Sequence, residues 1–303
     1  MVIGTWPTEV RRLAAASESL GAEIWAKSEE TAGAWGGNKV RKLEFILDAA
    51  RRDRRTNLLS WGAGSSNWTA ALALHGRAAG FSVSLGLGGP VPKDYRALYR
   101  STGTRLVSLP RLTLAPVALA AAWARAGGRA LFIPVGGSGT VGDIGTAQLG
   151  EEIAVQIKSA ELPLPSAVFV ATGSSGTAAG LAVGLGHARA PLPVVAVKVS
   201  DWPYATTKMV TRRISSLLDH LEQRGIRNVV PAPWRLERAY LGPGYGKPTE
   251  ASRAAIALAA RDGLTLDPTY GAKAFAALVG TARRDKDGPY LFVHTSPARP
   301  APS

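Results

Sequence analysis

The sequence predicts an α/β protein built from open, twisted sheets whose strands are mostly parallel. From Thr56 onward the chain repeatedly alternates short apolar runs with longer amphipathic runs. The short runs are apolar throughout, which is typical of strands buried on both faces, and the longer runs repeat at helical spacing. Strands separated by helices in this way favour parallel sheets that helices cover on both sides.

The predicted strands and helices alternate in chain order. Strands are predicted over residues 57–61, 82–87, 105–109, 130–135, 167–171, 194–199 and 290–294. Helices are predicted over residues 67–79, 115–126, 143–158, 177–187, 206–224, 250–262 and 272–284. A further helix begins just after Lys39, and residues 162–166 (LPLPS), with two prolines, are predicted to cross between two domains.

The composition excludes several kinds of site. At 303 residues and 31.6 kDa the chain can bury a large core as one or two domains. It has no cysteine, so disulfides, thiolate metal ligands and cysteine nucleophiles are excluded. The four histidines lie far apart with no ligand spacing: His75, His187, His220 and His294. We therefore expect no metal site.

Charge and hydropathy bear on partners and location. The formal charge of +14 would attract polyanions. The arginines, however, lie in small scattered groups without the interleaved aromatic residues of a stacking platform, which argues against a nucleic-acid role. The N-terminus lacks the apolar core of a secretory signal, and no apolar run is long enough to cross a bilayer. We expect a cytoplasmic protein with no membrane partner.

Lys39 stands where a glycine turn meets a helix, in residues 36–45 (GGNKVRKLEF). Val40, Leu43 and Leu47 are apolar at helical spacing, so the Lys39 amine belongs to a rigid element near a positive helix end. Such a setting lowers the pKa of an amine, as a lysine that condenses with a carbonyl requires. The alternative is a solvated lysine at a helix start, which is the commoner case for a lysine chosen at random.

Residues 171–180 (ATGSSGTAAG) join a predicted strand to a predicted helix through a glycine-rich loop. Gly173 and Gly176 let backbone N–H groups point inward, and a helix N-terminus adds its dipole, so the loop suits a phosphate. Ser174, Ser175 and Thr177 add hydroxyl donors. An ordinary strand-to-helix turn is the alternative. The chain contains neither a Walker A loop nor a G-x-S-x-G elbow, so a nucleotide triphosphatase and a serine hydrolase are poor interpretations.

Two further kinds of loop carry polar side chains. Residues 60–68 (SWGAGSSNW) place Ser66 and Asn67 at the carboxyl end of a parallel strand, where open α/β sheets bind ligands, although Asn67 would also serve as a helix N-cap. Tyr245 (in GPGYG) and Tyr270 (in DPTYGAK) each lie in a loop just before a helix. Tyrosines in loops usually pack, but two in similar settings are candidates for substrate contact or acid–base catalysis.

Together these segments resemble the pyridoxal-phosphate (PLP) enzymes of the tryptophan-synthase-β type, fold type II. More narrowly, the chain is similar to the family that contains D-cysteine desulfhydrase and 1-aminocyclopropane-1-carboxylate (ACC) deaminase. The resemblance covers nearly the whole chain and rests on an ordered set of motifs: PTEVRRL, GGNKVRKLEF, SWGAGSSN, IPVGGSGTVGDIG, ATGSSGTAAGL, GPGYGKPTE, DPTYGAK and LFVHT.

The resemblance implies two α/β domains with PLP in the cleft between them. Residues 1–50 plus 161–303 would form the large PLP-binding domain and residues 51–160 the small domain, with residues 297–303 a frayed, proline-rich tail. Homodimers are common among these relatives, so a homodimer is expected.

The resemblance also assigns roles to individual residues. Lys39 would bind the cofactor covalently, Ser66 would lie near the substrate carboxylate, and Asn67 would hydrogen-bond the ring oxygen. The loop formed by Gly173, Ser174, Ser175, Gly176 and Thr177 would hold the phosphate with help from Lys42. Tyr245 and Tyr270 would face the substrate, and Thr295 would approach the pyridine nitrogen.

Three departures from the family pattern concern the pocket. Trp68 follows the SSN motif where the family has histidine or glutamine, and Trp61 replaces a small aliphatic residue. Gly271 stands directly after the second tyrosine, where the deaminases have glutamate and the desulfhydrases threonine. These residues make an altered specificity a live hypothesis.

Three functions remain open from the sequence. The first is a PLP-dependent lyase that eliminates the β-substituent of D-cysteine, or of another β-substituted alanine, to give a 2-oxo acid and ammonia. The second keeps PLP but opens the ACC ring, or replaces the β-substituent in a specialised biosynthetic reaction. The third is a basic α/β binding protein without catalysis.

Overall fold

The fold is an α/β arrangement of two sheets, seen in a computed structural model that describes residues 1–35, 37–109, 129–201 and 204–296. The predicted helix over residues 115–126 and the predicted tail over residues 297–303 lie outside the described residues. Within the described part, all strand pairs are parallel except one at the edge of the larger sheet. The predicted fold class, with mostly parallel sheets, is confirmed.

The larger sheet has six strands in the order β1-β2-β10-β7-β8-β9. Of the described strand pairs in this sheet, β1–β2 alone is antiparallel. The strands are β1 (Val10–Arg12), β2 (Ile24–Ser28), β7 (Ala167–Thr172), β8 (Val194–Lys198), β9 (Trp234–Glu237) and β10 (Tyr290–His294). The central strands β7 and β10 are buried along their whole length, as their unbroken apolar sequences predict.

The smaller sheet has four parallel strands in the order β5-β4-β3-β6. They are β3 (Asn57–Ala63), β4 (Ser82–Gly88), β5 (Arg105–Leu109) and β6 (Ala130–Phe132). The described strands of this sheet all lie within residues 57–109 and 129–132, whereas the domain boundaries stay a prediction. Both sheets end near one another, with the carboxyl ends of β3, β7 and β10 all leading into residues of one cavity.

Nine helices of seven residues or more lie in the described part. They are α1 (Ala14–Leu20), α2 (Lys39–Arg52), α3 (Asn67–Ala78), α4 (Lys93–Ser101), α5 (Thr140–Lys158), α6 (Gly176–His187), α7 (Thr207–Gln223), α8 (Glu250–Ala260) and α9 (Gly271–Arg284). The predicted elements match these within a few residues at each end. The sequence interpretation omitted α1, α4, β1, β2 and β9, which are short or rich in charged residues.

Helices α2, α5 and α6 pack closely between the two sheets. Glycines allow this approach, because a Cβ at Gly145 of α5 would overlap the backbone of Arg41 in α2, and a Cβ at Gly184 of α6 would overlap Ala147 in α5. The first residue of α2 is Lys39 and the first residue of α6 is Gly176. Close packing of these helices therefore fixes the lysine and the glycine-rich loop relative to each other.

Candidate active site

A cavity of about 290 Å³ opens where the carboxyl ends of strands from both sheets meet. This is the edge at which open parallel sheets bind ligands. Its wall brings together ten of the twelve residues predicted for the site: Lys39, Ser66, Asn67, Gly173, Ser174, Ser175, Thr177, Tyr245, Tyr270 and Thr295. The other two, Lys42 and Gly176, lie directly behind the wall.

The Lys39 amine is held at the start of α2 by its neighbour Asn38. Lys39 Nζ donates a hydrogen bond to Asn38 Oδ1 at 2.6 Å, and Asn38 Nδ2 donates to Thr177 Oγ1 at 2.6 Å. Asn38 thus connects the lysine to the glycine-rich loop. Burial and, to a smaller extent, the nearby Lys42 charge lower the pKa of the Lys39 amine to about 7, against opposing effects of Asp143 and Asp267. A large share of the amine is therefore uncharged at neutral pH.

The loop over residues 173–177 connects β7 to α6 with its backbone curled around the helix start. Ser175 has a left-handed conformation (φ 69°) and donates its hydroxyl to the carbonyl of Tyr204 at 2.7 Å. Ser200 donates to the carbonyl of Gly173 at 2.8 Å. No side chain caps the first N–H groups of α6, and the residues around this helix start line the cavity, so the helix N-terminus suits an anion there.

Lys42 lies beneath this loop rather than in the cavity wall. Its fully buried Nζ donates to Ser138 Oγ at 2.8 Å and to Asp143 Oδ1 at 2.7 Å. A Cβ at Gly176 would overlap both Lys42 Nζ and Asp143 Oδ1, so the loop backbone rests directly on the ion pair. Burial lowers the pKa of the Lys42 amine, and Asp143 opposes that shift.

Ser66 and Asn67 face the cavity from the start of α3. Ser66 occupies the N-cap position, yet its side chain makes no capping hydrogen bond and remains available to a ligand. Asn67 is the first helical residue, one position beyond the cap that the sequence suggested for it. Its Oδ1 accepts from the hydroxyl of Tyr95 at 2.6 Å, which leaves Nδ2 as the donor toward the cavity.

Tyr245 and Tyr270 meet across the cavity. Their hydroxyl oxygens lie 2.7 Å apart and their rings pack edge to face with centroids 5.9 Å apart. Burial raises the pKa of both phenols, and the Asp267 charge raises both further. Both hydroxyls therefore keep their protons at neutral pH and can act as donors or acids.

The residues after β10 close the cavity at its far end. Thr295 lies in the wall, and its backbone carbonyl accepts from the N–H of Asn38 at 3.4 Å. Ser296 donates its hydroxyl to Asp267 Oδ2, and the same carboxylate accepts from the backbone N–H groups of Tyr270 and Gly271. Asp267 thus ties the end of β10 to the loop that carries Tyr270.

Sequence reasoning missed several residues of the site. Asn38 stands within the GGNK segment and Asp267 within DPTYGAK, but their partners are distant in sequence, so only the fold shows what they hold. Asp201 also lines the cavity and accepts from the backbone N–H of Tyr245 at 3.1 Å. No local pattern distinguishes Asp201 from an ordinary loop aspartate.

Two tryptophans flagged as departures do border the cavity. Trp68 is buried, and its indole N–H donates to Ser60 Oγ at 2.8 Å. Trp61 is partly exposed and stacks on Phe132, with ring centroids 5.0 Å apart. They supply much of the apolar wall on the side of the smaller sheet.

The residues present fit pyridoxal phosphate. An uncharged amine, an anion cradle at a helix N-terminus and an amide donor converge on one cavity, as a phosphorylated aldehyde requires. Among the described residues no cluster of His, Asp or Glu is placed to hold a metal ion. None of the described helices is both long and apolar enough to span a bilayer.

Comparisons with known proteins agree with this fit. Residues 2–296 match the family model described as pyridoxal-phosphate dependent enzyme. The chain is 35% identical to a D-cysteine desulfhydrase of Klebsiella pneumoniae over 96% of this chain and 92% of that protein. It is 34% identical to a D-cysteine desulfhydrase of Serratia proteamaculans over 96% of this chain and 91% of that protein.

Solved structures give the same result. A structure described as an ACC deaminase homologue superposes with a TM-score of 0.86 and 30% identity, covering 98% of this chain and 90% of that one. A fungal L-serine ammonia-lyase from Rhizomucor miehei, at 17% identity and a TM-score of 0.68, shares the fold. The chain belongs to the pyridoxal-phosphate dependent enzyme family, and its cofactor is pyridoxal phosphate.

Proposed function

We propose that this pyridoxal-phosphate dependent enzyme is a lyase that eliminates the β-substituent from a small amino acid, with D-cysteine or a related β-substituted alanine as substrate. For D-cysteine, water and the substrate would give a 2-oxo acid, hydrogen sulfide and ammonia. Support comes from the D-cysteine desulfhydrases to which the chain is similar and from the site itself. An enzyme-family match over nearly the whole chain disfavours the alternative of a binding protein without catalysis.

The observation that carries the proposal is the placement of Lys39 opposite a pair of protonated tyrosines. The Lys39 amine, with its pKa lowered to about 7, shares one cavity with the Tyr245–Tyr270 pair. A base and an acid in one cavity are what a β-elimination requires, since one proton leaves Cα and another must reach the leaving group.

Lys39 would act at the substrate Cα. When bound, PLP supplies an electron sink that stabilises negative charge at this carbon. The uncharged Lys39 amine would hold the cofactor at rest and, once displaced by the substrate amine, remove the proton from Cα. The link from Asn38 to Lys39 would keep the amine on the side of the cavity that faces this proton.

The tyrosine pair would act at the leaving group. As the bond between Cβ and sulfur breaks, its electron pair goes to sulfur, which would take a proton from one of the two hydroxyls. The 2.7 Å contact between Tyr245 and Tyr270 lets the second tyrosine stabilise the phenolate that forms on the first. Water would then complete the reaction by cleaving the bond between the substrate Cα and its amino nitrogen.

The remaining site residues would bind and orient. We propose that residues 173–177 hold the cofactor phosphate, that Asn67 donates to the ring oxygen, and that Thr295 lies near the pyridine nitrogen. Ser66, whose hydroxyl caps no helix N–H, would bind the substrate carboxylate. Lys42 would support the phosphate from beneath the loop, through Ser138.

The test is product analysis with the PLP-loaded enzyme. D-Cysteine, L-cysteine, O-acetylserine and ACC are supplied separately, and sulfide, ammonia and 2-oxo acids are measured. We expect D-cysteine to give equal amounts of sulfide, ammonia and a three-carbon 2-oxo acid. Absence of all three products from D-cysteine and from every other β-substituted alanine would contradict the proposal.

ACC ring opening is the second candidate, favoured by the likeness to the ACC deaminase homologue at 30% identity. It would use the same base at Lys39, but would give ammonia and a four-carbon 2-oxo acid without sulfide. The position after Tyr270 is Gly271, so the chain lacks the glutamate that the ACC deaminases have there, and the missing carboxylate weighs against ring opening. Replacement of the β-substituent would instead appear as a new amino acid when an external thiol is added.

Assembly and location stay predictions. We propose a homodimer, which light scattering of the purified protein would check, and a cytoplasmic location, which fractionation of the source cells would check.

A further inference from the structure

A buried chain of charges lies behind the glycine-rich loop and outside the cavity wall. Asp143 of α5 is 1% exposed and holds two cations, with Oδ1 accepting from Lys42 Nζ at 2.7 Å and Oδ2 accepting from Arg213 at 3.2 Å. The three residues come from three helices, α2, α5 and α7. Their charges sum to one positive charge, placed against the backbone of Gly176.

A hydroxyl relay leads from this cluster to the cavity. Lys42 Nζ donates to Ser138 Oγ at 2.8 Å, and Ser138 Oγ lies 2.7 Å from Ser174 Oγ. Ser138 is 1% exposed and does not line the cavity, whereas Ser174 does. The relay is therefore the connection through which the buried charge reaches the site.

The Lys42 charge favours one direction of the relay. An ammonium group can only donate, so Ser138 Oγ accepts from Lys42, which leaves the Ser138 hydrogen available to Ser174 Oγ at 2.7 Å. When Ser138 donates, Ser174 Oγ accepts that hydrogen, and the hydrogen of Ser174 is free to point toward the cavity that this residue lines. A serine oriented in this way is a donor to an anion, whereas a relay of the opposite direction would present a lone pair.

We propose that Arg213, Asp143, Lys42 and Ser138 form a positioning relay that orients the Ser174 hydroxyl as a donor to the cofactor phosphate. Arg213 has a distinct part, since it engages the second oxygen of Asp143 and so leaves the cluster with a net positive charge. None of these four residues touches the cavity. The inference rests on the proposed function, because it assumes that the loop holds the phosphate of PLP.

The first experiment compares the affinities of the apoprotein for PLP and for pyridoxal, which lacks the phosphate. Ser138→Ala breaks the relay, so we expect the Kd for PLP to rise about threefold to tenfold, the effect of one lost hydrogen bond, while the Kd for pyridoxal stays unchanged. The retained thermal unfolding temperature of the apoprotein would show that the variant folds.

The second experiment changes the charge at a distance from the cavity. Arg213→Gln should also raise the Kd for PLP and not that for pyridoxal, and Arg213→Lys should restore most of the lost affinity. Arg212→Gln is the matched control, because Arg212 is the exposed neighbour on the same helix. Inorganic phosphate should raise the unfolding temperature of the wild-type apoprotein more than that of Arg213→Gln.

Different results would contradict the relay and the proposed function. Equal losses for PLP and pyridoxal, or no loss for PLP in both Ser138→Ala and Arg213→Gln, would overturn the relay while the proposed function stands. If the wild-type apoprotein bound neither PLP nor pyridoxal, the assignment of the cavity would itself be wrong, and the relay with it.

Discussion

At the scale of single residues, the chemistry depends on how the fold treats one lysine amine. Lys39 is partly buried, lies beside Lys42 and begins a helix, and each of these circumstances disfavours the charged amine. Its partner Asn38 offers a carbonyl oxygen rather than a carboxylate, so no adjacent ion pair restores the charge. The residue is thereby prepared for attack on a carbonyl at neutral pH.

The pH dependence of cofactor capture follows from this environment. Below pH 7 the Lys39 amine is protonated and cannot attack, so the rate of covalent capture of PLP by the apoprotein should rise through about pH 7 and then level off. A free lysine derivative, whose amine titrates near the ordinary value of 10.5, should continue to gain reactivity well above pH 8. Stopped-flow absorbance would measure both, and a capture rate that climbs in parallel with the free amine would refute the lowered pKa.

Removing one hydroxyl of the tyrosine pair should slow elimination without releasing the cofactor. Tyr270→Phe keeps the ring packing but removes the proton donor, and we expect kcat for sulfide release to fall by about 10²- to 10⁴-fold. The absorbance of bound PLP serves as the control for an intact site. A kcat within twofold of wild type for both Tyr270→Phe and Tyr245→Phe would exclude the pair as the acid.

At the scale of elements, another buried lysine, Lys273, positions the loop that carries Tyr245. Lys273 in α9 is fully buried, and its Nζ donates to the carbonyls of Leu241 at 2.6 Å and Gly244 at 2.9 Å. Asp201 fixes the same loop from the other side through the Tyr245 N–H. Helix α9 and the loop after β8, which carries Asp201, together fix the position of the Tyr245 hydroxyl.

Removing the Lys273 amine should make the loop over residues 241–246 more mobile. Lys273→Met leaves two carbonyls without their donor, so we expect a stability loss of about 1–3 kcal/mol and faster hydrogen exchange over residues 241–246. Lys247→Met, at an exposed lysine in the adjoining turn, is the matched control. Hydrogen exchange followed by mass spectrometry measures this difference, and identical exchange in the two variants would argue against a role of Lys273 in fixing the loop.

The elements also show how far the sequence could be used for prediction. The loop over residues 171–180 was recognisable because its strand, glycines and helix are contiguous. Strand β2 was not recognisable, because a lysine such as Lys27 is normally expected at the surface. Its partners Glu152 and Gln156 reach it only in the folded protein. Edge strand β9 is partly exposed along its length and carries charged residues, so its pattern is weak.

Site residues in local motifs could be predicted from the sequence, whereas those held by distant partners could not. Lys39 and Ser174 stand in local motifs whose geometry is set within a few residues. Asn38, Asp143 and Asp267 act through bonds to partners far along the chain, and no spacing rule reveals such bonds. Lys42 was predicted one helical turn beyond Lys39, but its place beneath the loop depends on Asp143.

At the scale of the whole molecule, a buried charge network ties α2 to the larger sheet. Arg41 of α2 is 3% exposed, forms a bidentate pair with Glu29 at 2.7 and 2.8 Å, and also donates to Glu152 of α5 at 2.9 and 3.0 Å. Lys27 of β2 contacts Glu152 as well. The helix that carries Lys39 is therefore anchored by β2 and α5 together.

Removal of one member of this network should destabilise the protein, because its partners would keep buried charges without an opposite charge beside them. Arg41→Met is expected to lower the free energy of unfolding by about 3–5 kcal/mol. Arg52→Met, at an exposed arginine on the same helix whose contact with Asp48 is 3.7 Å, should change it by less than about 1 kcal/mol. Urea unfolding of both variants makes the comparison, and equal stabilities would contradict an anchoring role for the network.

The proposed chemistry depends on one covalent bond between Lys39 and the cofactor. The most direct test is borohydride reduction of the PLP-loaded protein, followed by digestion and mass spectrometry of the peptides. We expect the reduced cofactor on Lys39 alone, and no fixed cofactor in Lys39→Ala. Attachment to Lys42, Lys273 or another lysine, or an equal yield from Lys39→Ala, would contradict the central claim.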